Sequence, residues 1–193
     1  MNYDLLIILF SYLCGSIPFG LIISYIFKKN DPRSLGSKNI GATNVLRTGG
    51  FQLGLLTLVL DILKGFIAVK TTLMLNIDLV GLSMIFVVIG HIFPIWLKFK
   101  GGKGVATYVG ILFCINIYLV IVFIVSWLVI FTLTKYSSLA SMLSSLFVPL
   151  TSYFLLGDNN YYFYIIFGLL ILITHRENIK RLKNNTESKT KIY

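Results

Sequence analysis

The chain has 193 residues and a formal net charge of +10, yet 56% of it is hydrophobic and only 12% is charged. That charged share is about half of what a soluble domain carries, and the mean hydropathy of +0.85 agrees. A water-soluble domain is excluded. A nucleic-acid binder is excluded as well, because the basic residues form short clusters between apolar runs, the usual mark of loops beside membrane segments.

Met1-Asn2-Tyr3-Asp4 has no positive charge, and no small-residue cleavage site follows the first apolar run, so that run is expected to stay in the mature protein. Apolar spans are predicted over 4–27, 51–75, 79–97, 105–117, 118–134, 138–156 and 160–175, with ~20 residues needed to cross the hydrocarbon. The expected fold class is all-α, a polytopic integral membrane protein with seven transmembrane helices forming one domain over 1–193. The loops 28–50, 98–104 and 135–137 and the tail from Arg176 hold every Lys and Arg except Lys64 and Lys70, which lie inside the second span. Asp4, Asp78 and Asp158 lie on the other side, with no basic residue. The positive-inside rule then places the N-terminus outside and the C-terminus in the cytoplasm. The segment 105–134 must make two crossings of roughly 22 Å each, which implies short helices, local thinning or a shallow re-entrant turn near Asn116. Residues 184–193 are polar and expected to be disordered. Cys14 and Cys114 lie in apolar runs and read as packing, so no disulfide, metal or cofactor is expected.

Spans 2, 4 and 6 begin on the basic side, after Thr48-Gly49-Gly50, after Gly101-Gly102-Lys103-Gly104 and at Ser137-Ser138. Their helix N-termini would aim positive dipole ends at one interface, where anions bind readily. The first loop, Ser37 to Arg47, is rich in short hydrogen-bonding side chains, among them Asn39, Thr43 and Asn44. It reads either as an ordinary polar connection or as a phosphate and hydroxyl site clamped by Arg47. The stretch Gly101-Gly102-Lys103-Gly104 suits an anion cradle, or simply a tight turn. It is not a Walker A loop, because no Ser or Thr follows the Lys. His91 precedes Pro94 near the end of span 3, and a histidine in a span is costly enough to suggest a role. Asp61 and Lys64, three apart in span 2, suit a neutralising salt bridge at least as well as chemistry. His175 and Asn178, also three apart, share one helix face where span 7 closes.

Taken together these blocks resemble the bacterial integral-membrane, acyl-phosphate-dependent glycerol-3-phosphate acyltransferases. The resemblance rests on Gly15-Ser16-Ile17-Pro18-Phe19-Gly20, the Ser37 to Arg47 loop and Asp61-Ile62-Leu63-Lys64-Gly65. It continues through Gly90-His91 to Thr107, Ser138-Leu139-Ala140-Ser141 and His175-Arg176-Glu177-Asn178-Ile179. It implies transfer of an acyl group from acyl phosphate to the 1-hydroxyl of sn-glycerol 3-phosphate, giving lysophosphatidic acid and inorganic phosphate. By the family pattern Ser37, Arg47, Lys103, His175 and Asn178 are catalytic. Gly101, Gly102, Gly104 and Ser141 match substrate or phosphate positions, with Asn39, Thr43 and Asn44 beside them and Asp61, Lys64 and His91 in support. The choice between Ser138 and Ser141 stays open. So does the proton acceptor, either His175 or a substrate phosphate oxygen. The implied setting is the bacterial cytoplasmic membrane with the site facing the cytoplasm, among membrane lipid, with the soluble enzyme that supplies acyl phosphate as a partner. A transporter or flippase for a phosphorylated small molecule or lysolipid is the competing reading, but it should gather its polar groups at the bilayer midplane.

Overall fold

The structure, a computed structural model, describes residues 3–158 and 161–190. Expectations that fall on 1–2, 159–160 and 191–193 lie outside the described residues. Among the described residues all regular structure is helical, in two compact units, Met1–Cys114 and Ile115–Tyr193.

In the first unit, α1 (Tyr3–Ser16) and α2 (Phe19–Ile26) form one apolar pair bent by 44°. Pro18 separates them, because its ring removes a backbone donor and cannot continue a helix interior. α3 (Ala42–Gly49) is a short amphipathic helix inside what reads as a loop. Its Val45 packs with Ile23 and Leu53, so tertiary burial stabilises eight residues that would not hold a helix alone. α4 (Phe51–Leu75), α5 (Val80–Ile92) and α6 (Val105–Ile115) follow. α1 and α5 meet at backbone distance. A Cβ on Gly15 would strike the Val87 carbonyl, and one on Gly90 would strike that of Tyr12. Small residues permit such an approach, the usual basis of helix association in lipid. α6 lies against α4 in the same way, Gly65 facing the Thr107 carbonyl and Gly110 that of Ile62. Several buried hydroxyls are partnered: Ser11 and Ser83 bond each other across α1 and α5 at 2.8 Å, and Thr57 and Thr72 each donate one turn back.

The second unit contains α7 (Ile117–Thr134), α8 (Ser137–Phe154), α9 (Tyr161–Thr174) and α10 (Arg176–Lys183). α8 packs between α7 and α9. Asn116 starts α7: its extended backbone ends the preceding helix, and its side chain accepts from the Tyr118 amide at 2.8 Å. The break expected near Asn116 is therefore a helix cap.

Each of the seven expected spans coincides with a helix or the bent pair. Among the described residues three segments are long and apolar enough to cross a bilayer, Phe51–Leu75, Ile77–Leu97 and Ile117–Thr134, and the bent pair makes a fourth if counted as one. α6, with 11 residues, is about 16 Å long at helical rise, short of the ~30 Å hydrocarbon core.

Candidate active site

In the first unit the loop that leads into α3 is organised by Asn44. Its side chain is 2% exposed. Oδ1 accepts from the Ser37 amide at 2.8 Å, and Nδ2 donates to the carbonyls of Pro32 at 2.7 Å, Asn39 at 2.8 Å and Leu35 at 3.1 Å. These contacts occupy the two donors of the amide and one lone pair of its oxygen. Asn44, expected to contact substrate, thus serves as the post around which the loop winds. Asn39 likewise turns inward, its Oδ1 accepting from the Gly41 amide at 2.8 Å just before α3 begins. Ser37 is half-buried on this framed loop, and Thr43 and Arg47, four apart on α3, share a half-buried face.

The glycine loop is built on the end of α5. The Gly101 amide donates to Ile92 O at 2.9 Å and the Gly102 amide to His91 O at 3.0 Å. The sequence argument leaves this stretch as an anion cradle or a tight turn. These two N–H groups cap the last carbonyls of α5, which lose their helical donors where the chain leaves the helix before Pro94. Gly104 adopts φ +87°, a left-handed backbone suited to glycine, and α6 starts at the next residue. The amides that helix geometry leaves without intrahelical acceptors are those of the first turn of α6. Beneath the loop, Asp61 and Lys64 pair at 2.8 Å with both side chains buried, and His91 Nδ1 lies 3.8 Å from the same carboxylate oxygen. Lys64 Nζ also donates to Ile17 O at 2.9 Å. The salt-bridge reading of Asp61 and Lys64 holds. Cys14 and Cys114 are free thiols.

In the second unit, His175 ends α9 and sits at the N-cap of α10, 3% exposed. Its Nδ1 lies 2.8 Å from Ile171 O. A carbonyl only accepts, so Nδ1 carries the proton and Nε2 is the basic nitrogen of the neutral ring. Asn178, on the first turn of α10, is equally buried, and its Nδ2 donates to Glu187 Oε1 at 2.6 Å. Ser138 Oγ donates to the same oxygen at 2.7 Å, and Arg181 Nε to Oε2 at 2.7 Å. Ser138 and Ser141 therefore differ. Ser138 holds Glu187, whereas Ser141 accepts from Trp127 Nε1 at 3.1 Å. Since an indole N–H only donates, the Ser141 proton remains directed elsewhere.

Glu187 and Trp127 escape the sequence reading. Glu187 is the one carboxylate in the basic stretch after Glu177, the single signal that marks it out. Burial would raise its carboxyl. The hydrogen bonds from Ser138, Asn178 and Arg181, with the Arg181 charge, outweigh burial and hold it below the usual glutamate range. The tail, expected to be disordered from 184, is tied at Glu187 and again where the Thr190 amide donates to Lys135 O at 2.9 Å.

Comparison with known proteins defines the class, an integral membrane acyltransferase. A family model for glycerol-3-phosphate acyltransferase matches residues 5–185. The chain is 56% identical to a glycerol-3-phosphate acyltransferase of Pelagibacter ubique (strain HTCC1062), over all of both chains. It is 45% identical to one from Bartonella henselae, covering 95% of this chain and 90% of that one. Among solved structures, PlsY (YgiH), an integral membrane glycerol 3-phosphate acyltransferase crystallised in its glycerol 3-phosphate form, is 38% identical with a TM-score of 0.91, over 97% of this chain and 96% of that one. The lysophosphatidic acid form of PlsY is 37% identical with a TM-score of 0.89, over 97% and 95%. The chain therefore belongs to the glycerol-3-phosphate acyltransferase family. Its activity is acyl transfer in lipid biosynthesis, and the transporter reading falls away.

Proposed function

We propose that the acyl donor is an acyl phosphate and that the acceptor is the 1-hydroxyl of sn-glycerol 3-phosphate. The observation that carries this reading is the setting of the two candidate nucleophile partners. His175 Nδ1 meets the Ile171 carbonyl, and Ser141 accepts from an indole N–H. Neither contact is the serine–histidine hydrogen bond that builds a strong protein nucleophile. A donor that is already activated suits such a setting, and the mixed anhydride of an acyl phosphate is such a donor.

The substrate hydroxyl then attacks the acyl carbonyl directly. A new C–O ester bond forms, the bond from the acyl carbon to the phosphate oxygen breaks, and inorganic phosphate leaves with the electron pair. The hydroxyl proton passes to His175 Nε2 or to a phosphate oxygen of the substrate. The main obstacle is that two phosphate groups must approach each other. Arg47 and Lys103 supply the positive charge for that, with the first-turn amides of α6, and Ser37, Ser141 and Asn178 supply hydrogen bonds to oxyanions. Thr43 sits on the Arg47 face, and Gly101, Gly102 and Gly104 shape the loop that presents Lys103. The chain crosses the bacterial cytoplasmic membrane seven times, with these loops on the cytoplasmic face where charge segregation puts them. The soluble enzyme that makes acyl phosphate would deliver its product there.

The test is direct. Purified protein in detergent, given acyl phosphate and labelled glycerol 3-phosphate, should release one lysophosphatidic acid per phosphate. Turnover with an acyl thioester and none with acyl phosphate would refute the donor.

A further inference from the structure

His91 grips the glycine loop twice. Its backbone carbonyl accepts the Gly102 amide at 3.0 Å, and its ring lies directly under Gly102, where a Cβ would run into Nε2 and approach both neighbouring ring carbons to 2.9 Å. The ring is buried at 5% exposure and has no room to retreat. The orientation of that ring therefore sets the height of the loop. Nδ1 makes no hydrogen bond, and the charged group facing it is Asp61, with Oδ1 at 3.8 Å. Asp61 is itself fixed by Lys64 at 2.8 Å, and Lys64 by the Ile17 carbonyl at the break between α1 and α2. A chain of contacts thus runs from that break through α4 to the underside of the loop.

We propose that Asp61 and His91 are a positioning pair for the phosphate-binding loop. The carboxylate, 3.8 Å from Nδ1, electrostatically favours a ring proton on that nitrogen and so biases the ring toward this orientation. The ring then holds Gly102 at the level from which Lys103 and the start of α6 meet the substrate phosphate. The pair acts through the loop and touches no substrate. A plain salt bridge would need only Lys64. It leaves unexplained why the same carboxylate oxygen also faces a buried imidazole whose far edge abuts the loop. The inference rests on the reading that this loop receives the phosphate of glycerol 3-phosphate.

The test compares Asp61→Asn, His91→Gln and the double variant in detergent. It reads melting temperature, calorimetric binding of glycerol 3-phosphate without donor, steady-state kinetics, and hydrogen exchange of 101–104. Each single variant should weaken glycerol 3-phosphate binding and raise its KM about 10-fold, with loop exchange faster and the donor KM within about twofold of wild type. The double variant should be no worse than the more affected single one, because the two residues form one device. Wild-type affinity and loop exchange in Asp61→Asn, with only the melting temperature lowered, would leave Asp61 as a counter-ion for Lys64 and overturn the proposal. Additive losses in the double variant would overturn it too. If Asp61→Asn does not fold, Asp61→Glu keeps the charge near Lys64 and displaces it from His91. A weakened affinity there supports the pair, and unchanged affinity refutes it. Wild-type protein that fails to bind glycerol 3-phosphate would instead sink the loop assignment, and wild-type protein that binds it but ignores acyl phosphate would sink only the donor.

Discussion

Asn44→Ala should open the first loop before it does anything else. The substitution removes an acceptor for the Ser37 amide and a donor shared by three carbonyls, in a side chain that is 2% exposed. Three of these bonds are 2.8 Å or shorter, and each contributes about 1 kcal/mol net, so the loop loses roughly 3 kcal/mol against its open form. That corresponds to about a 10²-fold rise in the open population. Hydrogen exchange of 32–44, measured in detergent without substrate, should accelerate by that factor while α4 and α5 keep their protection. Turnover should fall along with it, since Ser37 and Arg47 are carried on the loop and the helix it leads into. Asn44→Asp should be at least as damaging, because it keeps the acceptor for Ser37 but turns a carboxylate oxygen toward the carbonyls. Unchanged exchange with a raised KM for glycerol 3-phosphate would refute this reasoning, since Asn44 would then be a substrate ligand and not a scaffold.

Gly102→Ala drives a methyl into the buried His91 ring, so the loop must lift by about 1 Å, a misplacement that costs on the order of 10²-fold in kcat/KM. The loss should fall on the KM for glycerol 3-phosphate more than on that for the donor, and equal effects on both would put the loop elsewhere in the mechanism. Gly168→Ala serves as the milder comparison: its Cβ would meet the Ser145 carbonyl at 3.3 Å, a tight contact that asks only a few tenths of an ångström of give, so its loss should stay well below that of Gly102→Ala. Arg47→Ala should reduce turnover by at least 10²-fold in protein that still folds, and retained activity would remove Arg47 from the chemistry. The Glu187 carboxyl titrates lower in the folded protein than in the unfolded chain, so its clip is fully present above the unfolded value of about 4.3 and is lost as pH falls through the lower folded one. Limited proteolysis of the tail should therefore be flat from neutral pH to pH 5 and rise only below the ordinary glutamate range. Release near pH 6 would contradict the three-bond clip. Glu187→Gln should expose the tail at neutral pH, because it removes the charge that Arg181 pairs with.

The apolar runs were legible because a membrane span must be long, continuous and internally hydrogen-bonded, and all three properties are local. The blocks from Ser37 to Arg47, Gly101 to Gly104 and His175 to Asn178 were legible as groups of phosphate-suited residues. The partner of each side chain was not. Asn44 looks like a ligand in sequence, and only the path of the loop shows that its amide is already occupied. Gly101 and Gly102 look like open amides, and only the end of α5 shows what they bond. α3 and α10 are too short and polar to predict, since burial against neighbours stabilises them, not propensity.

The sequence by itself determined a helical membrane protein, its family and blocks of residue types suited to phosphate, because hydrophobic length, charge segregation and motif order are properties of the string. The tertiary structure decided which neighbour many of those residues meet. That choice separated Ser138 on Glu187 from Ser141 on Trp127, and it placed His91 between Asp61 and the glycine loop. The reason is physical. A polar group's role is set by whether its donors and acceptors are already satisfied, and those partners lie as far as 49 residues away along the chain, as with Ser138 and Glu187.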